Sequence, residues 1–178
     1  MIEFRAVVEV TGSHVALSGR MSQDEVGAVL AAIADYNSGE EDEPAPLHGL
    51  LEADGVIMAG GLVVRDAGSG VAIEPGCCTG LEDWREWRNL ADGGALWNGH
   101  SPGVAVEFGD DAVRMWHHPA PVDGPVCVIP LVDLTAHLEG VRRDLLGFLE
   151  RVREWAPDGL GDALAARFDE EFRISAPL

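Results

Sequence analysis

Between Leu134 and Trp155 seven large apolar residues, Leu134, Leu138, Val141, Leu145, Phe148, Val152 and Trp155, follow one another in alternating steps of four and three. Residues spaced three and four apart share one face of an α-helix, so this pattern predicts one helix from about Leu131 to Trp155 with a continuous apolar stripe. A stripe of that length has to be covered. Two covers are open: the chain's own sheet, or a second copy in a coiled-coil dimer, so the chain reads as a monomer or a homodimer. Gly140 and Gly147 each weaken such a helix by about 1 kcal/mol, which leaves room for a break near Gly140. Pro157-Asp158-Gly159 ends the segment, and Leu160, Leu164, Phe168 and Phe172 mark a final helix.

The N-terminal part carries a different period. Ile2, Phe4, Ala6, Val8 and Val10 alternate with Glu3, Arg5, Val7 and Glu9, the pattern of a half-buried strand. Gly12-Ser13 turns the chain, and His14 to Leu17 returns as a hairpin partner. Ser22 and Glu25 form a capping box ahead of Val26, Val29, Leu30 and Ile33, which predicts a helix stopped by Asn37-Ser38-Gly39. Residues 38–46 hold Glu40-Glu41-Asp42-Glu43-Pro44-Ala45-Pro46 and are expected to be a mobile, solvated acidic loop. Leu47 to Asp54, Val56 to Arg65 and Val71 to Glu74 read as short strands. Val104, Val106 and Phe108, then Val113 and Met115, flank Gly109-Asp110-Asp111 as a hairpin, and Val126 to Ile129 adds a strand. No internal repeat is present. Strands early and in the middle, with helices inserted and appended, predict one α+β domain over 1–178: a mostly antiparallel sheet, an N-terminal helix, a short central helix and two C-terminal helices.

The chain has 178 residues, and its 31 acidic against 12 basic residues, every one of the latter Arg, give a net charge of −19. Such a field repels nucleic acid, whose phosphates need clustered cations. It favours a basic protein partner, or serves only to keep the chain solvated. Glu3, Arg5 and Glu9 interrupt Met1–Val10, which argues against a secretory signal. The longest apolar run, Val56 to Val64, is broken by Gly60 and Gly61 and is too short to cross a membrane. The expected location is the cytoplasm, with the cysteines reduced.

Unusual chemistry concentrates between Pro75 and His118. This stretch holds the adjacent Cys77 and Cys78, four of the five tryptophans (Trp84, Trp87, Trp97, Trp116) and His100, His117 and His118. Thr79 and Glu82 read as a capping box opening a helix to about Leu90, with Leu81, Trp84, Trp87 and Ala91 on one face. Cysteines just ahead of a helix start lie in its positive field, which favours thiolate, and Arg85 and Arg88 add to it. A histidine brought close would supply a base.

Zinc is the one cofactor these residue types suggest, with Cys77, Cys78 and His118 as ligands and His100 or His117 completing the set. Adjacent residues of an extended segment point to opposite sides, so one of the two cysteines is expected to ligate. Cys127, inside an apolar run, is expected in the core. A third reading has Trp97, His100, Trp116, His117 and Arg88 lining a ligand pocket or anchoring a protein interface. The glycines at 60, 61, 68 and 70 match no phosphate-binding spacing, and no hydrolase, zinc-protease or calcium-loop motif occurs.

The stretches G-C-C-x-G-L-E-D-W-R-E-W at Gly76–Trp87, W-N-G-H-S-P at Trp97–Pro102 and R-D-L-L-G-F-L-E-R-V-R-E-W-A at Arg143–Ala156 resemble a group of uncharacterised acidic proteins of high-GC actinobacteria. The resemblance implies a bacterial, cytoplasmic origin and accounts for the absence of Lys; it carries over no functional residue. The acidic α+β design is also similar to that of bacterial immunity proteins that neutralise toxins. The leading expectation is therefore a non-enzymatic binding protein, an immunity-type inhibitor of a cationic protein. A metal or thiol site on Cys77, Cys78 and the histidines, or a Trp-walled ligand pocket, are the alternatives.

Overall fold

The computed structural model describes residues 1–38, 47–118, 124–156 and 159–178. The alternation at the N-terminus forms strand β1 (Ile2–Val10), whose Phe4, Ala6 and Val8 join the core. β1 pairs antiparallel with β2 (Ser13–Ala16) and with β3 (Gly60–Asp66), which pairs in turn with β4 (Ala72–Ile73). The order is β2-β1-β3-β4. β3 begins with Gly60 at φ 146°, and a Cβ there would stand 2.2 Å from the Val7 carbonyl oxygen, so only glycine admits this approach of β1 and β3.

A second antiparallel sheet, order β5-β6-β7, is made by β5 (Val104–Phe108), β6 (Ala112–His117) and β7 (Cys127–Pro130). Val113, Met115, Cys127 and Ile129 are fully buried from this sheet. The α+β class holds, with the strands divided between two sheets rather than gathered in one.

The capping box at Ser22 forms as expected: the Glu25 amide donates to Ser22 Oγ at 3.2 Å, and the Ser22 amide donates to Glu25 Oε2 at 2.7 Å. It opens α1 (Gln23–Ser38), which buries Val26, Val29, Leu30 and Ile33. The heptad stripe becomes α3 (Leu131–Trp155), continuous through Gly140 and Gly147. Leu134, Leu138, Val141, Leu145, Phe148 and Val152 are buried against β1, α1 and α4 (Leu160–Phe172). Burying each such side chain is worth up to roughly 1.5–3 kcal/mol, so the six together far outweigh two glycine penalties of about 1 kcal/mol each. The stripe is spent inside the chain, so it offers no seam for a coiled-coil dimer.

Three local expectations are corrected. Leu47 to Asp54 is not a strand: it contains the short helix α2 (Gly49–Glu52), because Leu47 and Leu50, three apart, both turn to the core. Val56 to Met58 stays outside the ladder, which starts at Gly60; the Ile57 backbone is held instead by the Asn37 side chain, which donates to its carbonyl at 2.8 Å and accepts from its amide at 2.9 Å. The central helix (Leu81–Asp92) is a 3-10 helix with Gly80 at its N-cap and no side-chain cap. Thr79 Oγ1 donates to Asp83 Oδ2 at 3.2 Å in place of the capping box. With three residues per turn, the buried face is Leu81, Trp84, Trp87 and Leu90, and Ala91 is exposed. The acidic loop expected at 38–46 falls, from residue 39 on, outside the described residues.

Candidate functional site

Two loops meet where the chain leaves β4 and where it returns from the 3-10 helix. The Gly76 amide donates to the Asn98 carbonyl at 2.8 Å, the His100 amide to the Cys77 carbonyl at 3.0 Å, and the Cys77 amide to the Ser101 carbonyl at 3.0 Å. The contact is backbone against backbone. A Cβ on Gly99 would lie 2.6 Å from the Cys77 carbonyl oxygen, and one on Gly76 would lie 2.9 Å from that of Pro102. Asn98 is the buried polar residue of this junction, donating through Nδ2 to the Glu74 carbonyl at 2.9 Å. The Glu74 amide in turn donates to His117 Nε2 at 3.2 Å, tying the loop to β6.

This clamp presents Cys77, Cys78 and His100 together. Their Sγ and ring-nitrogen atoms lie within 4.8 Å of one another, and all three residues are exposed. Cys78 has φ 65°, in the left-handed region. That turn breaks the alternation of an extended chain, so both sulfurs reach the same side, against the expectation that only one would ligate. Trp97 roofs the group: its Nε1 donates to the Cys78 carbonyl at 3.3 Å, and its ring meets that of His100 edge-on at 4.7 Å between centroids.

The expected thiolate activation is not found at Cys78. The neighbouring Cys77 sulfur, by hydrogen bond and by charge, pushes the Cys78 thiol up, with desolvation adding to it. Arg85 is committed elsewhere. Its guanidinium donates to the Arg173 carbonyl at 2.9 Å and to those of Ala176 and Pro177, and it lies over the Trp84 ring at 5.0 Å. Cys127 is buried as expected, and burial pushes its thiol up to about 11.

The other candidates separate. His118 is exposed, its amide donating to the Gly103 carbonyl at 2.9 Å, and it does not join the ligand group; His100 takes that place. His117 sits behind the loop, with Nε2 accepting from Glu74 and Nδ1 buried without a hydrogen-bond partner. Trp116 is half-buried on β6 opposite Ala105, and Arg88 is exposed on the 3-10 helix. Among the described residues no ring contact joins Trp116 to Trp97. Of the five residues of the expected pocket, Trp97 and His100 are joined by a ring contact.

A groove of about 600 Å³ opens beside Cys77 and Cys78, and its other walls include Glu9, His14, Tyr36, Glu74 and Ser101 rather than Trp97 or Trp116. Sequence reasoning missed Asn98, His14 and Tyr36. Asn98 carried one signal, a polar residue wedged between Trp97 and Gly99 in a glycine-rich turn; His14 and Tyr36 carried none, since they arrive from β2 and α1.

No protein-family model, no curated protein and no solved structure matches this chain.

Proposed function

We propose that this chain is a metal-binding protein that takes one thiophilic divalent ion of the zinc class through Cys77 Sγ, Cys78 Sγ and a ring nitrogen of His100. The observation that carries this reading is the convergence of those three atoms within 4.8 Å, at the surface, on backbone-paired loops. Ligand atoms on a zinc tetrahedron are separated by roughly 3.3–3.8 Å, given bonds of about 2.0–2.3 Å, so a small side-chain adjustment suffices. Thiolate and imidazole are the donors zinc prefers, and three protein ligands leave a fourth position for solvent or a partner group. Binding would displace the two thiol protons, so metal affinity is expected to rise with pH.

Titration of the reduced chain with cobalt(II), which reports thiolate ligation by its charge-transfer absorption, tests the reading. One equivalent is expected to saturate the band and zinc to displace it. Cys77→Ser and Cys78→Ser should abolish the signal, and His100→Ala should weaken affinity by at least about tenfold, the lower end for loss of a supporting group at a metal site. Absence of the band in the reduced chain overturns the proposal.

The −19 charge favours a second reading, association with a cationic protein partner. Glu9 and Glu74 on the walls of the groove are where such a partner would contact the same face.

A further inference from the structure

Cys77 and Cys78 do more than converge on a common ligand position. They are free and exposed, their sulfurs within 4.8 Å of each other. Side chains of consecutive residues ordinarily diverge. Here the left-handed turn at Cys78, φ 65°, sets them on one side, in a conformation that a non-glycine residue adopts only at a backbone cost. The two hydrogen bonds from Cys77 and His100 amides, together with the Trp97 indole on the Cys78 carbonyl, hold that conformation in place. Strained backbone persists where the surroundings fix it, and it clusters at sites where the geometry serves chemistry.

We propose that Cys77 and Cys78 are a redox-active dithiol, closed to a disulfide between neighbouring residues by a low-molecular-weight disulfide of the glutathione class. One cysteine thiolate attacks a sulfur of the small disulfide, forming a mixed disulfide and expelling one small thiol. The second cysteine then attacks the protein sulfur of that mixed disulfide and expels the other. The chain loses two electrons and two protons, and both leave on the two small thiols released. Adjacent Cα atoms lie about 3.8 Å apart, shorter than the roughly 4.4–6.8 Å an unstrained disulfide spans. The product is therefore strained as well as exposed, the class of disulfide that a thiol pool reduces readily, which makes closure reversible. Cys127 is buried and takes no part. Closure also removes both sulfur ligands, so the oxidised chain would release its metal; this consequence rests on the metal-binding reading.

The test is peptide mass after equilibration of the full chain in mixtures of oxidised and reduced glutathione, acid quench, alkylation and tryptic digestion. Cleavage after Arg65 and Arg85 leaves Cys77 and Cys78 in one peptide, while Cys127 falls in another, between Arg114 and Arg142. In oxidised glutathione the first peptide should lose two hydrogens and take no alkylating label, and a reduced dithiol should restore two labels. Cys78→Ser should instead accumulate a stable glutathione adduct at Cys77. A wild-type peptide that stays fully labelled, or that keeps a glutathione adduct without closing, overturns the dithiol proposal. Cobalt binding by the reduced chain decides the metal reading separately, so either can fall while the other stands.

Discussion

Glu82 shows how far a single position departs from its sequence reading. As the third residue of a capping box its carboxylate would be ionised and useful. Instead the N-cap falls on Gly80, and the carboxylate folds back over that glycine, so close that a Cβ there would lie within 2.5 Å of it. Loss of hydration, reinforced by the charge of Asp83, pushes the Glu82 carboxyl above its ordinary 4.5. The folded chain then holds its proton more tightly than the unfolded chain does, so stability falls as pH rises through the window above 4.5. Glu82→Gln is expected to raise the melting temperature at pH 7 and to leave it unchanged at a pH below the ordinary carboxyl range, where both states are protonated. A lower melting temperature at pH 7 would refute this. Glu25 behaves oppositely: hydrogen bonds from Ser22 hold its carboxyl low, and its contribution is present at neutral pH and lost on acidification. The residue types of the site were legible in the same way. Cys77, Cys78 and His100 stood out as donors, but the left-handed φ that unites the two sulfurs is a property of Cys78 that no residue type announces.

At the scale of the element, the two glycines of α3 look identical in sequence and differ in space. A Cβ on Gly147 would lie 2.7 Å from the Gly19 amide nitrogen and 2.8 Å from its Cα, backbone atoms that do not move aside. A Cβ on Gly140 would meet only the end of the Arg143 side chain, at 3.7 Å. Gly140→Ala is therefore expected to stabilise the chain by up to about 1 kcal/mol through helix propensity, and Gly147→Ala to destabilise it by roughly 1–3 kcal/mol through overpacking. Denaturant midpoints of the two variants check the pair; equal shifts of the same sign would sink the argument. The long helices and the β5–β6 hairpin were legible because each has many residues repeating one period. The central helix was misread because its period is three. Leu81, Trp84, Trp87 and Leu90 fit that spacing as well as Leu81, Trp84, Trp87 and Ala91 fit an α-helix, and only packing separates Leu90 from Ala91.

Over the whole molecule, the charge of −19 acts on every approach of a cation, yet a field alone distinguishes no face. If a cationic partner engages the groove, Glu9→Arg with Glu74→Arg should weaken binding of a short arginine-rich peptide far more than Glu154→Arg with Asp162→Arg, which changes the total charge equally on exposed α3 and α4 positions. Equal losses in a titration at fixed salt would reduce the charge to a solvated field and remove the second reading. No described helix is long and apolar enough to cross a membrane. By itself the sequence determined the α+β class, the antiparallel strands, the extent of α3 and α4 and the residue types of the candidate site, because periodicity and donor chemistry are local properties written in consecutive residues. Only the tertiary structure decided that the strands form two sheets, that α3 is covered from within, and that His100 rather than His118 joins the cysteines. Those outcomes depend on which distant backbones approach closely, and that is fixed by contacts such as Gly19 against Gly147 and Gly76 against Gly99, which no local pattern encodes.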